Sequence, residues 1–210
     1  MKKEQIRLYA VTDRRWLQTE TLEEQVEKAL KGGITMLQLR EKEMDDAAFL
    51  EEAVRIKKLC QAYSVPFIIN DRVDIAIRSG ADGVHVGQGD MSAAEVRKRL
   101  GKDKIVGVTA KTVEQALLAQ EQGADYIGSG AVFGSGTKAD ARTLDHAVLQ
   151  EICERVSIPV TAIGGITAEN AKKLSGRGMA GIAVVSAIFA QPDITEAVRK
   201  LKVIADEICD

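Results

Sequence analysis

Short apolar runs alternate with longer amphipathic stretches from one end of the chain to the other. The runs are Arg7–Thr12, Met36–Arg40, Phe67–Asn70, Gly83–Val86, Ile105–Thr109, Tyr126–Ala131, Val160–Gly164 and Gly181–Ser186. Each spans a few residues and is apolar at neighbouring positions, as a strand buried on both faces must be. The stretches between them read as helices. Thr21–Lys31 sets Leu22, Val26, Ala29 and Leu30 on one face, and Asp45–Tyr63 sets Phe49, Val54, Ile56 and Leu59. Thr112–Gln122 and Asp145–Val156 follow the same spacing. Gly32, Gly80, Gly123 and Gly178 end helical stretches, where a left-handed residue is wanted. Pro66 and Pro159 open strands, and Ser92, Thr112 and Thr167 stand as helix N-caps. Eight strand–helix units predict a single (β/α)8 TIM barrel spanning residues 1–210. An open doubly wound sheet is the competing arrangement.

Composition narrows the function. Lys and Arg total 29 and Asp and Glu 31, giving a net charge of −2, and aromatic residues make up 4%. Neither a basic stripe nor stacking platforms for bases follow from that, so nucleic acid is not an expected partner. Cys60, Cys153 and Cys209 are widely spaced and fit reduced thiols. The N-terminal stretch lacks a long apolar run, so neither a secretion signal nor a membrane span is expected, and the expected location is cytoplasmic. Whether the chain forms a homo-oligomer is left open.

In such a barrel the chemistry sits where strands end. After the second strand, Gln38-Leu39-Arg40-Glu41-Lys42 offers two cations as a diphosphate cradle; a solvated loop with local Glu41–Lys42 pairing serves as well. After the third and fourth, Asn70-Asp71 and Asp90 place two carboxylates within reach of one Mg²⁺, although both aspartates are also ordinary caps. His85, between valines, reads as a satisfied interior histidine rather than a base. Thr109 is either a hydroxyl for phosphate or a plain strand residue. Ser135-Gly136-Thr137-Lys138 has the composition of a phosphate loop without being a Walker motif; a surface loop is the alternative. Gly164-Gly165 and Val185-Ser186 stand where barrels build phosphate sites. Trp16, His146 and Cys153 read as packing or surface residues, and no catalytic triad or zinc spacing is present.

Taken together, Tyr9–Asp13, Leu37–Lys42, Ile69–Asp74, Gly80–Asp90, Gly107–Thr112, Gly123–Lys138, Ile158–Ile166 and Gly178–Ile188 resemble the thiamine-phosphate synthase family. The resemblance implies an Mg²⁺-dependent transferase that joins an aminopyrimidine diphosphate to a thiazole phosphate and releases diphosphate, by a dissociative route. It assigns Gln38, Leu39, Arg40, Glu41, Lys42, Asn70, Thr109 and Lys138 to the pyrimidine diphosphate. It assigns Ser135, Gly136, Thr137, Gly165, Val185 and Ser186 to the thiazole phosphate, and Asp71 and Asp90 to Mg²⁺. Arg40 and Lys138 would stabilise leaving-group charge. The chain departs from the family pattern at Thr109, where Ser is usual, and at Lys111, where His is common. Ala131 and Gly134 replace the two usual prolines, and Ser135 replaces Thr. A thiazole tautomerase on the same barrel is the runner-up enzyme. It usually carries a His near the end of the sixth strand, which this chain lacks. A non-catalytic barrel that senses a thiamine precursor is the third possibility.

Overall fold

A computed structural model describes residues 1–17, 19–134 and 143–209. Eight parallel strands close into a barrel in sequence order: β1 (Leu8–Val11), β2 (Met36–Leu39), β3 (Phe67–Asn70), β4 (Gly83–Val86), β5 (Ile105–Thr109), β6 (Tyr126–Gly130), β7 (Val160–Ile163) and β8 (Gly181–Val184). β8 pairs with β1, with Leu8 opposite Ile182, so no sheet edge remains. The helices are α1 (Leu22–Gly32), α2 (Asp46–Ala62), α3 (Val73–Ser79), α4 (Ala93–Leu100), α5 (Val113–Glu121), α6 (His146–Arg155), α7 (Ser186–Phe189) and α8 (Ile194–Ile208). The closed order excludes the doubly wound sheet.

Strand alternation separates two cores. One face of the strands packs with the helices, through Leu37, Leu39, Ile69, Val84 and Ile127 among others. The other face fills the barrel with Tyr9, Met36, Ile68, Tyr126 and Ala183. Bulky interior residues are matched by glycines on other strands of the barrel. A Cβ on Gly107 would overlap the Tyr126 ring, and one on Gly128 would lie 3.0 Å from His85 Cε1.

Thr21, Ser92 and Thr112 accept hydrogen bonds from helix N–H groups as N-caps. Two expectations change. Gly33, at φ +103°, caps α1, whereas Gly32 is still helical and lies against α8, where a Cβ would stand 2.6 Å from Val198 Cβ. The segment after β7 forms a 3-10 turn, Ala171–Leu174, with Asn170 rather than Thr167 at its N-cap position. Gly176 (φ +73°) and Gly178 (φ +76°) follow within a few residues and stop the turn from lengthening.

Candidate active site

The C-terminal ends of the strands surround a cavity of about 220 Å³. Gln38, Arg40, Asn70, Thr109, Gly165, Val185 and Ser186 all line it. They come from five strand ends that the sequence separates by up to 148 positions, and barrel closure alone brings them together. The Arg40 backbone N–H donates to Thr12 Oγ1 at 3.0 Å, which fixes the start of the loop after β2. Thr109 is held by Gln88, whose Nε2 donates to the Thr109 carbonyl at 2.6 Å.

Asp71 stands just beyond β3 at φ +61°, a left-handed conformation that Asp tolerates better than most side chains. Its N–H donates to the His85 carbonyl on β4 at 2.8 Å, and Lys42 Nζ donates to its Oδ2 at 2.6 Å. Asp90, after β4, accepts the Gly87 N–H on Oδ2 at 2.7 Å. Each aspartate therefore keeps Oδ1 without a hydrogen bond among the described residues. No group of three or more acidic, His or Cys side chains suited to a metal exists among the described residues. Two carboxylate oxygens completed by water and phosphate are the kind of donor set that suits Mg²⁺.

Five expected site residues stand apart from the cavity wall, Asp71 and Asp90 among them. Leu39 is fully buried between barrel and helices. Lys42 reaches Asp71, outside the lining. Glu41 turns back toward the helices, where Arg14 Nε donates to its Oε1 at 2.9 Å and the same guanidinium bonds Glu52 on α2. Ser135, Gly136, Thr137 and Lys138 lie outside the described residues.

Burial pushes the Glu41 carboxyl up to about 7, with Arg14 opposing the shift and Glu52 adding to it. The native state thus binds more protons than the unfolded chain between the ordinary carboxylate range, about 4.3, and that value. Stability falls as pH rises through this window. Glu41→Gln should flatten that fall, so the variant melts above the parent beyond about pH 7. Melting curves across the window check this; a parent-like decline in the variant would place the slope elsewhere.

The interior also holds polar groups that spacing does not reveal. Gln38 Nε2 donates to Tyr9 Oη at 2.6 Å, Tyr9 and Tyr126 share a bond at 2.8 Å, and Tyr126 Oη meets His85 Nδ1 at 3.0 Å. His85 Nε2 lies 2.9 Å from Thr109 Oγ1. His85 is thus the satisfied interior histidine expected, and Tyr9, which lines the cavity, and Tyr126 behind it are polar interior residues that the strand pattern left hidden.

The family model for thiamine monophosphate synthase matches residues 8–188. The chain is 54% identical over 194 residues to a thiamine-phosphate synthase of Ruminiclostridium cellulolyticum, covering 92% of each chain. It is 51% identical over 195 residues to that of Clostridium botulinum, covering 93% of this chain and 92% of the other. Among solved structures, thiamine phosphate pyrophosphorylase from Pyrococcus furiosus superposes with a TM-score of 0.90 at 36% identity, covering 98% of both chains. With the barrel, the family model and these relatives in agreement, the chain belongs to the thiamine monophosphate synthase family, transferases of thiamine biosynthesis.

Proposed function

We propose that the cavity joins an aminopyrimidine methyl diphosphate to a thiazole ethyl phosphate, forming thiamine phosphate and free diphosphate. The observation that carries this reading is the convergence of Gln38, Arg40, Asn70 and Thr109 on one side of a single cavity with Gly165, Val185 and Ser186 on the other. One half suits a heterocycle bearing diphosphate and the other a second phosphate.

In the reaction the methylene C–O bond breaks and its electron pair leaves with diphosphate. The thiazole nitrogen then donates its lone pair to the same carbon. The electron-rich pyrimidine ring stabilises the developing cation, so neither a strong base nor a covalent nucleophile is required. The protein's task is to gather leaving-group charge and hold the two partners in contact, and each contribution is worth several kcal/mol in such sites. Arg40 supplies a forked cation at the cavity wall, and Lys42 adds charge beside Asp71. Lys138 is assigned the same role on the diphosphate. Thr109 offers its hydroxyl to it. Gly165, Val185 and Ser186 approach the thiazole phosphate, with Ser135, Gly136 and Thr137 assigned beside them. Asp71 and Asp90 would hold Mg²⁺ through their open oxygens, and the ion when bound neutralises diphosphate charge.

The setting is read as cytoplasmic. Cys60 is a buried free thiol, and no helix among the described residues is long and apolar enough to cross a membrane.

The test is a coupling assay with both substrates and Mg²⁺, with and without EDTA, reading thiamine phosphate and diphosphate together. Equal amounts of the two products, lost with EDTA, are expected. No product from folded protein and verified substrates would overturn the synthase reading and favour an isomerase or a binding protein.

A further inference from the structure

The buried bonds that run from Gln38 to Thr109 have a direction, set by Gln38 turning its amide nitrogen rather than its oxygen toward Tyr9 Oη and by counting protons from there. Tyr9 is 1% exposed and Tyr126 fully buried, so neither phenol has water to fall back on. Burial raises the pKa of both, so each carries one proton to donate. Gln38 gives an amide proton to Tyr9 Oη. If Tyr9 then donates to Tyr126, Tyr126 is left to donate to His85 Nδ1. Each buried proton then has an acceptor.

The opposite direction fails at Tyr9. A proton on His85 Nδ1 would be donated to Tyr126, and Tyr126 would have to donate to Tyr9. Tyr9 would then receive protons from both sides, with its own facing no acceptor among the described residues. A buried donor left unsatisfied costs more than a typical hydrogen bond contributes, so the first direction wins.

We propose that the Gln38–Tyr9–Tyr126 chain holds His85 as the Nε2–H tautomer, so that His85 donates to Thr109 and the Thr109 hydroxyl proton is committed to the cavity. Tyr126 and His85 are therefore positioning residues. They act through Thr109, whose contact with a diphosphate oxygen rests on the function proposed above. With the other tautomer, Thr109 would give its proton to His85 and present only lone pairs to an anion. The interior glycines serve this geometry: Gly107 makes room for the Tyr126 ring and Gly128 for the His85 ring. Gln88 holds the Thr109 backbone from the other side.

The chain has two histidines, His85 and His146, which makes the tautomer directly readable. In ¹⁵N-histidine-labelled protein, His146→Gln leaves only His85 signals. We expect a protonated Nε2 and an unprotonated, hydrogen-bonded Nδ1. A protonated Nδ1 would overturn the proposal, whatever the enzyme's activity. Tyr126→Phe keeps the ring packed against Gly107 and removes the donor. It should spread His85 over both tautomers and lower kcat about fivefold, the size of one hydrogen bond, with a smaller change in KM for the pyrimidine diphosphate. In a Thr109→Val background the same substitution should cost nothing further in kcat. An equal loss in both backgrounds would show that Tyr126 acts by another route and overturn the positioning role. If the parent makes no thiamine phosphate, the functional reading fails, while the nitrogen spectra still decide the tautomer.

Discussion

Asp71→Asn should lower turnover at least about tenfold, a loss of about 1.4 kcal/mol in transition-state stabilisation, while leaving the fold nearly as stable as before. The choice of Asn matters. Asp71 sits at φ +61°, and Asn is among the few residues that accept that conformation readily. Ala would add a backbone penalty and blur the result. The ion pair lost with Lys42 joins side chains 24% and 50% exposed, and pairs so open to water contribute about 0–1 kcal/mol. Melting should therefore move little while activity falls. The Mg²⁺ concentration for half-maximal rate should rise as well, because one of two carboxylate oxygens is replaced by a neutral amide oxygen. Asp90→Asn tests the second ligand. Its carboxylate also accepts the Gly87 N–H at 2.7 Å, a bond that an amide oxygen can keep. Parental rates in both variants at limiting Mg²⁺ would remove the metal from this site.

Much of this was legible in the linear sequence, for identifiable reasons. β3, β4 and β5 begin and end where the runs do, because buried parallel strands are apolar on both faces for most of their length. The caps at Ser92 and Thr112 were readable because capping is local chemistry. What stayed hidden depends on contacts between distant residues. The buried face of α2 runs through Phe49, Ala53, Ile56 and Cys60, and it includes Glu52 and Lys57. Those two charges can be buried because Arg14 and Asp82 meet them, with Lys57 Nζ 2.7 Å from Asp82 Oδ1, and neither partner is visible within the helix. Val54 and Leu59, apolar in sequence, are only partly buried. Gly32 belongs to the helix because α8 crosses against it, a fact of packing rather than of capping.

The same division explains the site. Gln38, Arg40, Asn70 and Thr109 could be singled out because they are polar residues ending apolar runs. Tyr9 and Tyr126 could not, since an aromatic residue in a strand signals core. Their hydroxyls meet across 117 positions only because strand register brings both inside the barrel. Glu41 shows the reverse case. It adjoins the phosphate-binding candidates in sequence, yet the chain's turn after β2 hands it to Arg14 and Glu52.

Gly165→Ala should raise KM for the thiazole phosphate by about tenfold or more, while KM for the pyrimidine diphosphate stays within about twofold. Two separate penalties act at this position. The residue has φ +66°, where an L side chain costs about 1–2 kcal/mol. An added Cβ would also stand 2.5 Å from the Gly134 carbonyl oxygen and 2.9 Å from Phe133 Cβ, so the turn after β7 must move. That turn lines the cavity, and its carbonyl is tied to Asn170 Nδ2 at 2.8 Å, so the movement reaches the wall where the second phosphate is assigned. Gly80→Ala separates the two penalties. Gly80 has nearly the same φ, +70°, but nothing lies within 4 Å of its Cβ position, and it ends α3 away from the cavity lining. It should lose the backbone term alone, roughly 2–8 °C in melting temperature, with unchanged kinetics. If both variants lose stability and neither loses thiazole phosphate affinity, the close approach at Gly165 is a feature of folding. A selective loss at Gly165 would make the bare backbone there a requirement of phosphate binding.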